Sequence, residues 1–210
     1  MAAMEKQQPS MVYWVGDNLY LNITNQCSNN CYFCFRNYKN GVDKFKLKLN
    51  HDPSATEVID KIKDVINKRR WKEVVFCGFG EPLTRLDIVL EVTRWLKQHH
   101  PATTVRIDTN GQAQLLHKDR NVIAEIKNAG VDKVSVSLNA HNKQAYDQIC
   151  RPQFEDAYAA VLQFIKAAAA ELDTEVTAVT IPEADTRRIE EMASDLGGKF
   201  RKRDYIPCFW

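Results

Sequence analysis

"NITNQCSNNCYFCFRN", residues 22–37, contains the feature on which the interpretation of the whole chain depends. Three cysteines, Cys27, Cys31 and Cys34, stand there with the spacing CxxxCxxC. They follow "LYLNIT" (19–24), which is typical of a buried strand. Parallel-sheet proteins place their active sites just past the carboxyl ends of their strands. The stretch therefore predicts a functional loop after the first strand.

A cluster of three cysteines narrows the kinds of metal site that fit. A structural zinc site normally takes four ligands in two pairs, and ordinary ferredoxin clusters take four cysteines. The other cysteines, Cys77, Cys150 and Cys208, are scattered and supply no second pair. A cluster held by three thiolates leaves one coordination position open, as a catalytic metal requires. A three-ligand zinc site is the alternative.

Composition sets limits on domain number, location and partners. The 210 residues suit one domain, which we expect over 11–210 after a disordered lead-in at 1–10. No run of roughly 18 apolar residues and no secretory signal is present, so we expect a cytoplasmic protein without a membrane partner. In that reducing compartment cysteines favour metal over disulfides. A formal charge of +2 gives no strong case for nucleic acid and does not exclude it.

Strand-like and helix-like segments alternate along the chain. The predicted strands are 19–24, 73–78, 104–109, 133–138, 175–181 and 199–206. The predicted helices are 54–70, beginning with a capping box at Ser54 and Glu57, then 86–100, 120–129, a stretch over 142–170 interrupted at Pro152, and 186–196. Such alternation predicts parallel strands joined by right-handed crossovers, either as an open doubly wound sheet or as an incomplete barrel.

Polar residues on alternate positions of several strands favour the barrel. They are Asn22 and Thr24, Arg106 and Asp108, Ser135, Ser137 and Asn139, and Arg201, Arg203 and Tyr205. If these faces point the same way, they line a wet cavity; the alternative is that some lie on the outer face and bond to helix ends. The fold class we predict is α/β, an incomplete (β/α)6 TIM-like barrel.

These motifs together resemble the radical S-adenosylmethionine (SAM) superfamily. CxxxCxxC follows the first strand, and an aromatic residue, Phe33, precedes the third cysteine. "CGFGEPL" (77–83) is similar to the family's GGEP motif, with Phe79 replacing the first of two adjacent glycines. "DTNG" (108–111) and "SVSLNA" (135–140) end the third and fourth strands as in that family. More narrowly, most of 11–206 resembles the small TatD-associated radical SAM proteins.

The resemblance implies two cofactors, a 4Fe-4S cluster and SAM. It assigns Cys27, Cys31 and Cys34 to the cluster. The cofactor-binding residues it implies are Phe33, Gly80, Glu81, Asp108, Asn110, Ser137 and Asn139. Among these, the backbone at Gly80 together with Glu81 would receive the amino group of SAM.

The implied activity is reductive cleavage of SAM to a 5'-deoxyadenosyl radical that abstracts hydrogen from a substrate. The electron would come from a small reducing protein such as flavodoxin or ferredoxin. The candidate substrate-binding residues Arg106, Arg201, Arg203 and Tyr205 favour an anionic substrate, a small molecule or a protein. Two activities within the superfamily stay open: activation of a glycyl radical in a partner protein, and a 7-carboxy-7-deazaguanine-synthase-like ring contraction.

Two rival functions come from other classes. A non-catalytic iron–sulfur electron carrier would not need the "FGEP" and "DTNG" motifs. A nucleic-acid modifier would need a basic stripe with stacking aromatics, for which the loop after the cysteines offers Arg36, Tyr38, Lys39, Lys44, Phe45, Lys46 and Lys48. We favour that loop as a solvated cover over the active site.

Overall fold

The protein folds around one seven-stranded sheet, seen in a computed structural model that describes residues 8–205. The strands are β1 (Val12–Val15), β2 (Asn18–Leu21), β3 (Gly41–Val42), β4 (Phe45–Lys46), β5 (Glu73–Phe76), β6 (Val105–Thr109), β7 (Lys133–Ser137), β8 (Asp173–Val179) and β9 (Lys199–Arg203). The order in the sheet is β1-β2-β5-β6-β7-β8-β9, and β3 pairs with β4 in a separate hairpin. The pairs from β2 to β9 are all parallel.

Seven α-helices accompany the strands within residues 8–205. They are α1 (Ala55–Lys63), α2 (Leu86–His99), α3 (Ala113–Leu116), α4 (Val122–Ala129), α5 (Lys143–Cys150), α6 (Ala157–Ala169) and α7 (Thr186–Asp195), with 3₁₀ turns at Phe35–Asn37 and Pro82–Arg85. Ser54 and Glu57 form the predicted capping box at the start of α1. Gly130 ends α4 with a positive φ of 103°, which glycine adopts without steric cost.

Six parallel strands in chain order confirm the predicted incomplete (β/α)6 barrel. Since each crossover is right-handed and the strands add in one direction, the helices collect on one face of the sheet. In the described part of the chain β9 pairs only with β8, so the sheet stays open.

Two hairpins were not predicted. β1 runs antiparallel to β2, with Trp14 opposite Leu19, and extends the sheet by one edge strand. The β3–β4 hairpin lies in the loop that follows the cysteines. Both involve strands of two to four residues, too short for a periodic pattern to show.

The first and last parallel strands are shorter than predicted. β2 ends at Leu21, so Asn22 and Thr24 lie beyond it and do not form a strand face. Asn22 instead donates its amide to Leu47 O at 2.7 Å and accepts from Phe79 N at 2.8 Å. β9 ends at Arg203. Cys208 and residues 1–7 of the predicted lead-in fall outside the described residues. Ser10, which lies inside them, donates its backbone N–H to Lys46 O at 2.7 Å.

The two faces of the sheet have opposite character. Residues such as Val105 and Ile107 are fully buried in the core under the helices. Arg106 and Asp108 alternate with them and so point to the other, inner face. No helix among the described residues is long and apolar enough to cross a membrane.

Candidate active site

The three cysteines line one cavity of about 340 Å³. It lies where β5, β6 and β7 end, so the strands place their carboxyl-terminal loops around it. All seven residues predicted to bind the cofactors line the same cavity: Phe33, Gly80, Glu81, Asp108, Asn110, Ser137 and Asn139. Residues that are up to 112 positions apart in the sequence, from Cys27 to Asn139, therefore share one site.

Helix α5 supports the cysteine loop, residues 22–37. Asn30 N donates to Cys150 O at 3.0 Å and Tyr32 N to Ile149 O at 3.2 Å, on either side of Cys31. These bonds use the unpaired carbonyls of the last helical turn. The middle of the loop is thereby attached to a buried helix end.

Arg36, near the end of the cysteine loop, forms hydrogen bonds with the first half of that loop. Its guanidinium donates to Asn25 O at 3.1 Å and to Asn29 O at 3.4 Å. It also lies 5.7 Å from the ring centre of Phe79, the residue that departs from the GGEP motif. Phe79 is buried, and its ring contacts Phe35 edge-on at 5.7 Å. The phenyl ring thus fills space between the cysteine loop and the loop after β5.

The cysteines in the described residues are free thiols. Burial raises the pKa of Cys27 to about 12. A hydrogen bond with Cys150 and burial raise the pKa of Cys31. Within residues 8–205 no three His, Cys, Asp or Glu side chains converge as they would around a metal ion. Three thiols on one cavity wall fit an iron–sulfur cluster by donor type.

Gly80 is needed for packing of one loop against another. A Cβ at this position would lie 2.3 Å from Gln26 O and 2.7 Å from Thr24 O. Glu81 N, the next amide, donates to Gln26 O at 2.7 Å. The glycine therefore lets the loop after β5 contact the cysteine loop. Its φ is not positive, so the close approach, and not a left-handed backbone, requires glycine here.

The Glu81 carboxylate connects the loops after β5 and β6. It accepts from Leu83 N at 3.1 Å, from Thr109 Oγ1 at 2.7 Å and from Asn110 N at 2.7 Å. Burial raises its pKa to about 7, although these three hydrogen bonds act in the opposite direction. Both carboxylate oxygens are thus used within the protein.

Asn110 extends this connection to the cysteine loop. Its Nδ2 donates to Ser28 Oγ at 2.8 Å and lies 3.9 Å from Cys27 Sγ. Asp108, two residues earlier, has its carboxylate 2.9 Å from Arg106 Nε. Burial nevertheless raises the pKa of Asp108, and Arg106 opposes that shift. The "DTNG" loop therefore orients one amide toward the cysteines and one carboxylate into the cavity wall.

Arg203 lies on the wall formed by the ends of β7 and β9. It donates to Ser137 Oγ at 3.3 Å and to Asn139 Oδ1 at 3.4 Å. Asn139 adopts a left-handed φ of 58°. Within residues 8–205 no carboxylate pairs with Arg203, and its buried Nε has no hydrogen-bond partner. Burial lowers its pKa.

The predicted positive charge of the inner face is largely neutralised. Arg106 pairs with Glu73 at 2.9 Å as well as with Asp108. Arg201 makes two bonds to Glu175, at 2.8 and 2.7 Å. Neither of these arginines lines the cysteine cavity. Of the four candidate substrate-binding residues, only Arg203 and Tyr205 do so.

A polar network behind the cysteine loop was not predicted. Gln112 donates to Asn29 Oδ1 at 2.6 Å and to Tyr146 Oη at 2.9 Å, and Asn29 Nδ2 donates to Tyr146 Oη at 3.2 Å. The three side chains come from the cysteine loop, the β6 loop and α5. The only signal in the sequence is the position of Gln112 directly after "DTNG".

A protein-family model and several known proteins are similar to this chain. The family model described as "Radical SAM superfamily" matches residues 21–196. A "Probable GTP 3',8-cyclase" of Methanocaldococcus jannaschii is 29% identical over 192 residues, which are 90% of this chain and 59% of that protein. A protein with the same name from Pyrococcus horikoshii is 31% identical over 133 residues, 63% of this chain and 37% of that protein. The chain thus spans between about a third and three fifths of these relatives.

A solved structure shows the same fold. It is the crystal structure of Streptococcus suis SuiB bound to S-adenosylmethionine, with a TM-score of 0.67, 16% sequence identity and coverage of 90% of this chain and 41% of that one. At this identity the likeness concerns the fold alone.

Proposed function

The chain belongs to the radical SAM superfamily, and on this basis we propose that it is an enzyme that reductively cleaves SAM and abstracts hydrogen from an anionic substrate. Members of the superfamily generally use a 4Fe-4S cluster and SAM. One observation carries the proposal: Cys27, Cys31 and Cys34 share a single cavity with the "GEP" and "DTNG" loops. A non-catalytic electron carrier would have no use for that cavity.

The three cysteines would hold the cluster, each as a thiolate. When bound, the cluster supplies the electron that splits SAM into methionine and a 5'-deoxyadenosyl radical. The protein's own contribution is positioning, because Arg36 and α5 fix the loop that carries the thiols. Phe33, beside Cys34, would cover this side of the site.

SAM would bind along the ends of β5, β6 and β7. Because both oxygens of Glu81 are bonded within the protein, we assign the amino group of SAM to the backbone at Gly80, with Glu81 fixing that backbone. Asp108 and Asn110 would lie beside the ribose. Ser137 and Asn139 would reach the ribose or the carboxylate.

Arg203 supports an anionic substrate. Arg203 has a buried Nε without a hydrogen-bond partner and, within residues 8–205, no carboxylate in ion-pair contact, Asp108 acting on it only at longer range, so an incoming anion would stabilise it. Tyr205 lines the same wall and can donate a further hydrogen bond. The relatives are named for GTP, which is an anion, so GTP is the first substrate to assay.

The free thiols of the cysteines are consistent with a reducing cellular compartment. All five cysteines among the described residues are free thiols, as expected in the cytoplasm. The electron donor we propose is a small flavodoxin- or ferredoxin-like protein.

The proposal is tested by anaerobic reconstitution with iron and sulfide, followed by dithionite and SAM. We expect 5'-deoxyadenosine by chromatography, its loss in Cys31→Ala, and its retention in the matched variant Cys77→Ala. Cys77 lines the same cavity outside the cysteine loop. A reconstituted cluster that leaves SAM intact, even with cell extract supplying substrate, would identify a carrier instead.

The anion site is tested separately, in the protein without its cofactors. We expect inorganic phosphate to raise the melting temperature of the wild type and of Arg201→Met by the same amount, and that of Arg203→Met by clearly less. Arg201 is the matched control since it faces Glu175 in another part of the inner face. Equal responses of the two variants would remove Arg203 as the anion anchor.

A further inference from the structure

A second cavity lies at the opposite end of the sheet from the cysteines. Its volume is about 740 Å³, and its walls come from the segments that precede β2, β5 and β6. The sequence "KRRWK", residues 68–72, supplies most of its charge. Arg69, Arg70 and Lys72 line it, together with Trp71 and a single acidic residue, Asp17. The cavity is therefore strongly basic in a chain whose net charge is only +2.

Two of these cations are available to a ligand. The Arg70 and Lys72 side chains are exposed, and across residues 8–205 neither makes a hydrogen bond or ion pair. Arg69 is used differently: it donates to Gly16 O at 2.6 Å, and its guanidinium stacks 4.0 Å from the ring centre of Trp71. The acidic Asp17 lies 3.9 Å from Arg69 and leaves the other two cations unopposed.

Aromatic rings continue from this cavity around the outer edge of the sheet. Trp71 lies 6.4 Å from Trp14 on β1, and Trp14 lies 4.8 Å from Phe45 on β4. We call these three residues the aromatic band. Lys44 reaches over it, 5.3 Å from the Trp14 ring and 5.5 Å from the Phe45 ring. The band thus joins the basic cavity to the loop that follows the cysteines.

We expect nucleic-acid binding to require a basic stripe with stacking aromatic residues. That combination occurs on this surface, and the loop after the cysteines supplies only part of it. Arg36, the first cation of that loop, turns inward to the cysteine loop. Lys44 and Phe45 instead join Trp14, Trp71 and the 68–72 segment, which are distant in the sequence. The result is a continuous surface in which cations alternate with rings.

We propose that this surface binds single-stranded nucleic acid, with phosphates on Arg70 and Lys72 and bases against the aromatic band. Exposed cations attract the phosphate chain, and aromatic faces stack on bases that are not paired. An anionic membrane or an acidic peptide would use the cations and have no stacking partner for the rings. The site requires neither cluster nor SAM, so it stands or fails independently of the proposed function.

The test is fluorescence anisotropy of the full-length chain with labelled oligouridylate and oligoadenylate. We expect affinity to fall roughly sevenfold between about 50 and 200 mM salt, the result for two phosphate contacts at a slope of about 0.7 each. Arg70→Glu combined with Lys72→Glu should weaken binding at least tenfold. The matched control, Lys118→Glu with Lys166→Glu, makes the same charge change at exposed positions elsewhere and should have little effect.

Three further probes decide what is bound. An abasic oligomer with the same number of phosphates should bind about tenfold more weakly if a base stacks. Equal affinity for the abasic oligomer, or for a duplex, would overturn single-strand recognition. Vesicles of phosphatidylserine that bind as tightly and respond to the same variants would show a membrane surface instead. Binding that is insensitive to salt, or equally weakened by the control variant, would also overturn the proposal.

Discussion

Glu81 is the residue on which the geometry of the cysteine cavity depends most directly. It is buried, and it joins Thr109, Asn110 and Leu83 through one carboxylate. A glutamine has one acceptor oxygen, and its amide nitrogen cannot accept from Asn110 N. We expect Glu81→Gln to lower the free energy of unfolding by about 1–3 kcal/mol in denaturant titrations.

The pH dependence of stability provides a second test of the role of Glu81. The folded pKa of Glu81, about 7, lies above its ordinary value of 4.5, so the folded state binds the proton more tightly. The contribution of this group is therefore full below 4.5 and is lost as the pH rises through 7. We expect the free energy of unfolding of Glu81→Gln to decrease less than that of the wild type as the pH rises from 4.5 through 7.

The matched control for this pH effect is Glu57→Gln. The capping-box hydrogen bond from Ser54 N is the main cause that lowers the pKa of Glu57 to about 2, so its contribution has the opposite sign and is lost as the pH falls. A wild-type profile that slopes upward between 4.5 and 7, and is unchanged by Glu81→Gln, would contradict the assignment.

At the level of elements, α5 acts as the support of the cysteine loop. Tyr146 accepts hydrogen bonds from Asn29 and Gln112, so Tyr146→Phe removes the acceptor of the Asn29 amide and one of the two acceptors of the Gln112 amide. We expect a loss of about 1–3 kcal/mol in unfolding free energy. Hydrogen exchange should also quicken at the amides of Asn30 and Tyr32, which bond to the end of α5.

A neighbouring tyrosine provides the control. The Tyr158 ring lies 5.5 Å from the Tyr146 ring at a tilt of 49°, and among residues 8–205 its hydroxyl contacts only Met192 Sδ, at 3.9 Å. Tyr158→Phe should therefore cost about 0.5 kcal/mol or less. Equal losses in the two variants would mean that ring packing, and not the polar network, supports the loop.

The predicted and observed helices and strands show which parts of the fold the sequence predicts. Periodicity, the Ser54 capping box and Gly130 are local signals, and they predict the six parallel strands and the crossover helices. The motifs predict which loops meet at one cavity because parallel strands end at one edge. The partners of Arg106, Arg201 and Tyr146 depend on contacts between distant segments, and no local pattern encodes them.

At the scale of the whole molecule, ion pairs stabilise the inner face of the open barrel. Glu73, which is 5% exposed, contacts Arg106 at 2.9 Å and Lys133 at 3.0 Å across neighbouring strands. Glu73→Gln removes the anion that these two cations share, so Arg106 is left with Asp108 and Lys133 with the longer contact to Asp173 at 4.0 Å. We expect a loss of about 3 kcal/mol in unfolding free energy that added salt does not mask, since buried pairs are weakly screened.

Asp173→Asn is the control for that prediction. Its near partner Lys199 has a side chain that is 79% exposed, and its other contact, Lys133, lies 4.0 Å away, so these pairs should be worth less than about 1 kcal/mol. Similar losses from both variants would indicate that general charge balance, and not the buried pair, stabilises the sheet.

The last strand has a consequence for the behaviour of the protein in a concentrated solution. β9, "KFRKR", forms the border of the open sheet, and in the described part of the chain no strand pairs with its outer side. Such a border ordinarily recruits strands from other molecules and so starts aggregation. Four of its five residues are cationic, and although Lys199 and Arg201 pair with Asp173 and Glu175, the remaining positive charge makes two copies brought border to border repel each other. An open barrel can thus stay dispersed without closing, and the same strand that supplies Arg203 to the cavity also protects the fold from assembling with itself.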